Sequence, residues 1–71
     1  MNVATDNFKK TIHYYYTKIR QTNHPMYWYY LADVQMRAGL TTDAMYTIDQ
    51  ALQLPRPYPS KQILMNMRSH L

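Results

Sequence analysis

"HPMYWYYLADVQMRAGLTTDAMYTIDQALQLPRP", His24 to Pro57, is the stretch whose reading decides the fold. It opens on a bulky run from Met26 to Tyr30, then alternates small and large apolar positions until a proline stop. Such a run suits an active site or base-stacking surface, or else a helical hairpin whose aromatics fill the gap between close helices. The punctuation favours the hairpin. Pro25 disfavours helical geometry at His24 but is well placed to begin a helix, with Asn23 or His24 as its cap. That helix is expected over 25–38. Gly39, the only glycine in the chain, then falls where helices commonly end in a left-handed turn.

A further helix is expected over about 42–54. Thr41 is a good cap, Asp43 lies in the first turn, and Leu40 can pack on Met45 as a hydrophobic staple. Ala44, Ile48, Ala51 and Leu52 form its buried stripe, and Pro55 ends it. Upstream, Phe8, Ile12, Tyr15 and Ile19 follow the i, i+4, i+7, i+11 spacing of one helical face. Lys9, His13, Tyr16 and Arg20 sit beside that stripe. Residues 1–4 read as a polar tail, and Thr5 or Asp6 as the cap of a helix over about 6–21. "HYYYTKI" has some strand propensity, but the helical stripe runs through it. Downstream, "PRPYPS" is a stiff connector. Ser60 is placed to cap a last helix over about 60–70, with Ile63, Leu64, Met67 and Leu71 on one face. Arg68 and His70 in its last turn suit the negative end of the helix dipole. The expected architecture is all-α: a single domain over 1–71 of about four short helices.

Composition narrows the function. A chain of 71 residues is one domain at most, and one this short buries only about 60% of its unfolded surface. It has no cysteine, hence no disulfide or thiolate metal site, which fits a reducing compartment. With 46% hydrophobic residues, 8 tyrosines and 6 methionines, much of the apolar material is amphipathic or flexible. That suits surfaces covered by something else, so a partner-dependent subunit of a hetero-oligomer is expected. No run of about 18 apolar residues occurs, so no membrane insertion is expected. "MNVATDNFKK" lacks the apolar stretch of an export signal, which points to the cytoplasm. The net charge of +4 comes from 8 Lys and Arg against 4 acids, all aspartate. Its spread from Lys9 to Arg68 allows an anionic partner without demanding one.

The two central helices resemble one tetratricopeptide repeat, a helix–turn–helix unit of roughly 34 residues. The resemblance rests on Trp28, Leu31, Ala32, Gly39, Ala44, Ile48, Ala51, Leu52, Leu54 and Pro55. The sequence departs from the pattern at Gln35, where an aromatic is usual, and in an exit proline about one residue early. The repeat implies an antiparallel pair with Trp28 between its helices. A narrower resemblance covers Pro25 to Leu71 through "W..L", "RAGL", "DA" and "ILMNMRSHL". It is similar to the C-terminal part of the small repeat-like chaperones that hold the needle subunit of bacterial type III secretion systems. This chain is shorter than their best-known members and shows no counterpart of their leading helices. That family implies a cytoplasmic virulence-associated chaperone. Its concave surface sequesters the needle subunit's C-terminal helix, alongside a very small helical co-chaperone.

Side-chain chemistry for catalysis is sparse. Asp6, Asp33, Asp43 and Asp49 are scattered, and Asp6 and Asp43 read as helix-start residues. His13, His24 and His70 fall in different segments, without spacing that presents two ligands on one helical face. No glycine-rich phosphate loop occurs and no serine has a partnered histidine. No catalytic residue, metal site or cofactor is expected, and the chain is read as a non-enzyme. A small basic nucleic-acid-binding protein is the alternative. Lys9, Lys10, Lys18 and Arg20 interleave with Tyr14, Tyr15 and Tyr16, as in surfaces that track a backbone and stack bases. The plainer reading makes Tyr15 core and leaves Tyr14 and Tyr16 with hydroxyls in water. The favoured reading is a protein-interaction module. If the repeat is real, Met26, Tyr29, Asp33, Met36 and Arg37 form a face for an amphipathic partner helix. Trp28, Leu31, Ala32, Ala44, Ile48, Ala51 and Leu52 then form the packing core. Met26 and Met36 packing within the domain itself is the competing expectation.

Overall fold

The computed structural model describes residues 3–71, with side chains from Asn7 onward. The described chain is all-α, in four helices: α1 Val3–Thr22, α2 Pro25–Arg37, α3 Thr41–Leu52 and α4 Lys61–Ser69. Each helix packs mainly on its neighbour in sequence. The molecule measures 39 × 29 × 15 Å.

Local chemistry fixes the connections. Asn23 ends α1 at a φ of 50°, in the left-handed region that asparagine tolerates better than most residues. His24 caps α2, its Nδ1 accepting from the Met26 N–H at 3.1 Å. Gly39, with φ 77°, closes α2: its N–H donates to Met36 O at 3.1 Å, and the Leu40 N–H to Gln35 O at 2.9 Å. This paired closure is the Schellman arrangement, which needs a left-handed residue at Gly39. Ser60 caps α4 by accepting from the Ile63 N–H at 3.1 Å.

Some boundaries differ from expectation. Helix α1 begins at Val3, so Thr5 and Asp6 are helical rather than flanking residues. Any capping contact of their side chains lies outside the described residues. The cap position of α3 belongs to Leu40, not Thr41, and no side chain bonds the free N–H groups there. The glycine closure draws Leu40 into the turn, so the helix starts directly after it. Helix α3 also stops at Leu52, short of Leu54. Pro55 pushes the residue before it out of helical geometry, and the chain leaves through a turn.

The core is one-sided. Leu31, Ala32 and Val34 of α2, Ala44, Ile48 and Ala51 of α3, and Leu64 of α4 are buried. None of the described α1 side chains is. Ala32, Ile48, Ala51 and Leu64 form one cluster, with Trp28, Tyr29, Met36, Leu52, Met67 and Leu71 packed half-buried around it. Alanines bring the two backbones close, and Trp28 fills volume at the open end of the seam. The indole N–H donates to Asn23 Oδ1 at 3.0 Å, so the ring packs on the core while its polar edge stays at the surface.

Two polar side chains are buried in the seam. Thr47 Oγ1 donates to Gln35 Oε1 at 2.6 Å and also lies 3.0 Å from Asp43 O. Gln35 Nε2 donates to Tyr16 Oη at 3.3 Å. The Tyr16 hydroxyl therefore has a protein partner, where the sequence suggested water alone. Across the other seam, Arg68 Nε and Asp49 Oδ1 pair at 2.7 Å and tie α4 to α3. That pair is exposed on both sides, so Leu64 does more to seat α4.

Replacing Gln35 separates its volume from its polarity. Gln35→Ala is expected to cost about 2–3 kcal/mol, since it opens a cavity in addition to removing the amide. Gln35→Met is expected to cost less than about 1.5 kcal/mol, because Thr47 keeps the Asp43 carbonyl and Tyr16 can turn to solvent. Urea unfolding followed by circular dichroism checks the order, and a methionine variant weaker than the alanine one contradicts it. Trp28→Ala, read the same way, should cost about 3 kcal/mol, the low end for truncating an aromatic because the ring is only partly covered.

Candidate functional site

A groove of ≈ 350 Å³ runs along the α1–α2 junction. Helix α1 contributes Asn7, Phe8, Thr11 and Tyr15, and helix α2 contributes Tyr30, Asp33, Val34 and Arg37. The side chains converge because 7, 8, 11 and 15 share one edge of α1, while 30, 33, 34 and 37 share one edge of α2. The apolar floor comes from Phe8, Tyr15, Tyr30 and Val34. Asp33 and Arg37 sit on the rim as an i, i+4 ion pair, Oδ2 to Nε 3.2 Å. Both carry exposed side chains (43% and 71%), so the pair contributes little to stability.

Aromatic rings continue the floor along α2. Tyr15 lies 5.9 Å from Tyr30 and 6.4 Å from Tyr27, centroid to centroid. Tyr58, carried by the proline-rich connector, meets Tyr29 at 5.8 Å and Tyr30 at 6.2 Å, edge to face in both cases. These separations fall in the favourable range for aromatic pairs. The connector thus meets α2 at Tyr29 and Tyr30. The Tyr58 phenol oxygen, accepting from the Tyr30 hydroxyl, together with the proximity of that phenol and some burial, raises the Tyr30 phenol above its ordinary value of 10.0.

The residues proposed from sequence for partner contact divide between two environments. Asp33 and Arg37 line the groove. Tyr29 and Met36 pack against the core cluster, on the flank of α2 nearer α4, and Met26 is half-buried in the first turn. Asn7, Phe8, Thr11, Tyr15, Tyr30 and Val34 were not picked out as site residues. Phe8 and Tyr15 already stood on the apolar stripe of α1, the one signal that marked that edge. Of the residues assigned to packing, Leu31, Ala32, Ala44, Ile48 and Ala51 are buried, while Trp28 and Leu52 are half-buried.

The basic and aromatic side of α1 is also partly committed. Lys18 Nζ stands 5.6 Å from the Tyr14 ring centroid, and Tyr15 abuts Tyr14 edge-on at 5.4 Å. A base seeking to stack on Tyr14 therefore competes with an ammonium that already occupies the ring face. The three histidines lie on α1, at the α2 cap and at the α4 C-cap. Among the described residues no group of three or more potential metal ligands converges. No described helix is long and apolar enough to cross a membrane. Compared with family models, curated proteins and solved structures, the chain matches none.

The tyrosine contacts give the fold a pH dependence. The folded state favours protonated Tyr30, so that stabilisation is complete below the unfolded tyrosine pKa of about 10 and is lost as pH rises through the higher folded value. Tyr58→Phe removes the hydrogen bond, which should bring Tyr30 back toward 10.0 and flatten the alkaline loss of stability. Phenolate absorbance titration of both proteins checks this, and coincident curves contradict it.

Proposed function

We propose that the protein is a non-enzymatic interaction module, a tetratricopeptide-like chaperone or assembly factor that holds an amphipathic helix of a partner polypeptide. The carrying observation is the α1–α2 groove, with an aromatic floor of Phe8, Tyr15 and Tyr30 and the Asp33–Arg37 pair on its rim. An open trough walled by two helices suits a third helix laid along it, with apolar knobs entering at i, i+3, i+4 and i+7 spacing. Rigid tyrosines supply contact area at little entropic cost, since each has only two rotatable side-chain bonds.

The resemblance in Trp28, Ala32, Gly39, Ala44 and Ala51 supports the repeat-like part of the proposal. Its most concrete form is a cytoplasmic chaperone for the needle subunit of a type III secretion system, acting with a small helical co-chaperone. The rival, a nucleic-acid-binding protein, draws on exposed Tyr14 and half-buried Lys18. It is disfavoured because a base stacking on that face of Tyr14 competes with the Lys18 ammonium.

Thr11→Arg tests the site with limited risk to the fold, because Thr11 lines the groove without being buried. Co-expressed with a tagged needle subunit, the wild-type chain should be recovered, and Thr11→Arg should lower recovery about tenfold with helicity unchanged. A Tyr29→Asp, Met36→Asp double variant is a poorer probe, since both side chains rest on the core cluster. Equal recovery of wild type and Thr11→Arg removes the groove from the proposal.

A further inference from the structure

Charge around the groove selects its occupant. Asn7 and Thr11 line the groove, and Tyr14 and Lys18 continue the same edge of α1 at i+3 and i+4 steps. Lys18 lies just beyond the lining: its ammonium stands 5.6 Å from the Tyr14 ring centroid, and Tyr14 abuts Tyr15, which lines the floor. At the opposite end stands Arg37. Asp33, the acid among the lining residues, is already engaged by Arg37 at 3.2 Å. Among the described residues, what remains for an occupant is an apolar floor bordered by positive charge, on a chain of net charge +4.

From this geometry we infer that the groove takes an acidic amphipathic helix, with glutamates or aspartates flanking its apolar stripe. The inference rests on the groove being a partner site, as proposed above, and adds the partner's charge. A carboxylate beside the stripe meets Lys18 directly. A second meets the outer side of the Arg37 guanidinium, which keeps free N–H groups while it pairs with Asp33 through Nε. A second copy of this chain is a poor occupant, since two bodies of charge +4 repel. A nucleic acid would meet the same cations, but a base stacking on that face of Tyr14 would have to displace Lys18, and its phosphates would meet the Asp33 carboxylate in the groove lining.

The probes are synthetic helical peptides of about 18 residues, long enough to hold helix in water. They share one leucine stripe and carry glutamate, glutamine or lysine on the polar face. Oligo(dT) is a further probe. Binding is read by tryptophan fluorescence or calorimetry on the full chain. The protein variants are Lys18→Glu beside the groove and Lys61→Glu on α4, which change net charge equally. The glutamate peptide should bind tightest, Lys18→Glu should weaken it roughly three- to tenfold, and Lys61→Glu should leave it nearly unchanged.

Equal affinity for the glutamate and glutamine peptides overturns the charge selection and leaves the groove as a partner site. Equal weakening by the two variants also overturns it, since net charge alone would then be at work. Oligo(dT) binding that Lys18→Glu abolishes, with no peptide bound, replaces the helix by a nucleic acid. No binding by any probe, together with Thr11→Arg matching wild type against the needle subunit, removes the partner site as well.

Discussion

The seam between α2 and α3 is the constraint to which the rest of the molecule conforms. Ala32, Ala44 and Ala51 remove side-chain bulk, so the backbones approach until water is excluded. Any polar group caught there must then find its partner inside the protein, or it costs the full penalty of desolvation. Gln35 and Thr47 meet that demand through each other at 2.6 Å. The hydrogen bond fixes more than an energy. It sets which residue of α2 faces which residue of α3, since sliding either helix by a turn would strand both side chains.

The outer helices attach to this seam by different means. Helix α4 inserts Leu64 directly into the alanine-lined cluster. Helix α1 inserts none of its described side chains. Its side chains lie half-buried on α2, and Tyr16 reaches the seam only through the outer amide of Gln35. Near the junction, Phe8 and Tyr15 line the groove beside Tyr30 and Val34. The candidate site thus lies where the described α1 side chains stay short of full burial.

Most of the architecture was legible in the sequence because it is written in residues with strong local preferences. Gly39 adopts the left-handed turn that its lack of a side chain allows, Pro25 opens a helix, and Ser60 caps one. The apolar stripes of Ala44, Ile48 and Ala51, and of Leu64 and Met67, carry the helical period. What local chemistry could not reveal is pairing between elements. Gln35 looked like a departure from a repeat pattern, and its partner Thr47 carried no signal of its own. The Thr41 cap was lost because the glycine closure drew Leu40 into the turn. Asp33 and Arg37 reach the groove, but its other wall belongs to α1. A periodic reading of α2 alone could not supply that wall, and Tyr58 arrives from a connector with no period at all.

The lack of any buried α1 side chain among those described has a thermodynamic corollary. Four of the groove's lining residues belong to α1, so the trough exists only in molecules where that helix is docked. Among the described residues its docking rests on half-covered side chains and one long side-chain hydrogen bond, contacts typical of segments that open locally before the whole protein unfolds. The apparent affinity of any occupant is then its intrinsic affinity scaled by the docked fraction. Substitutions on the outer side of α1, remote from the bound helix, thereby tune binding without touching it.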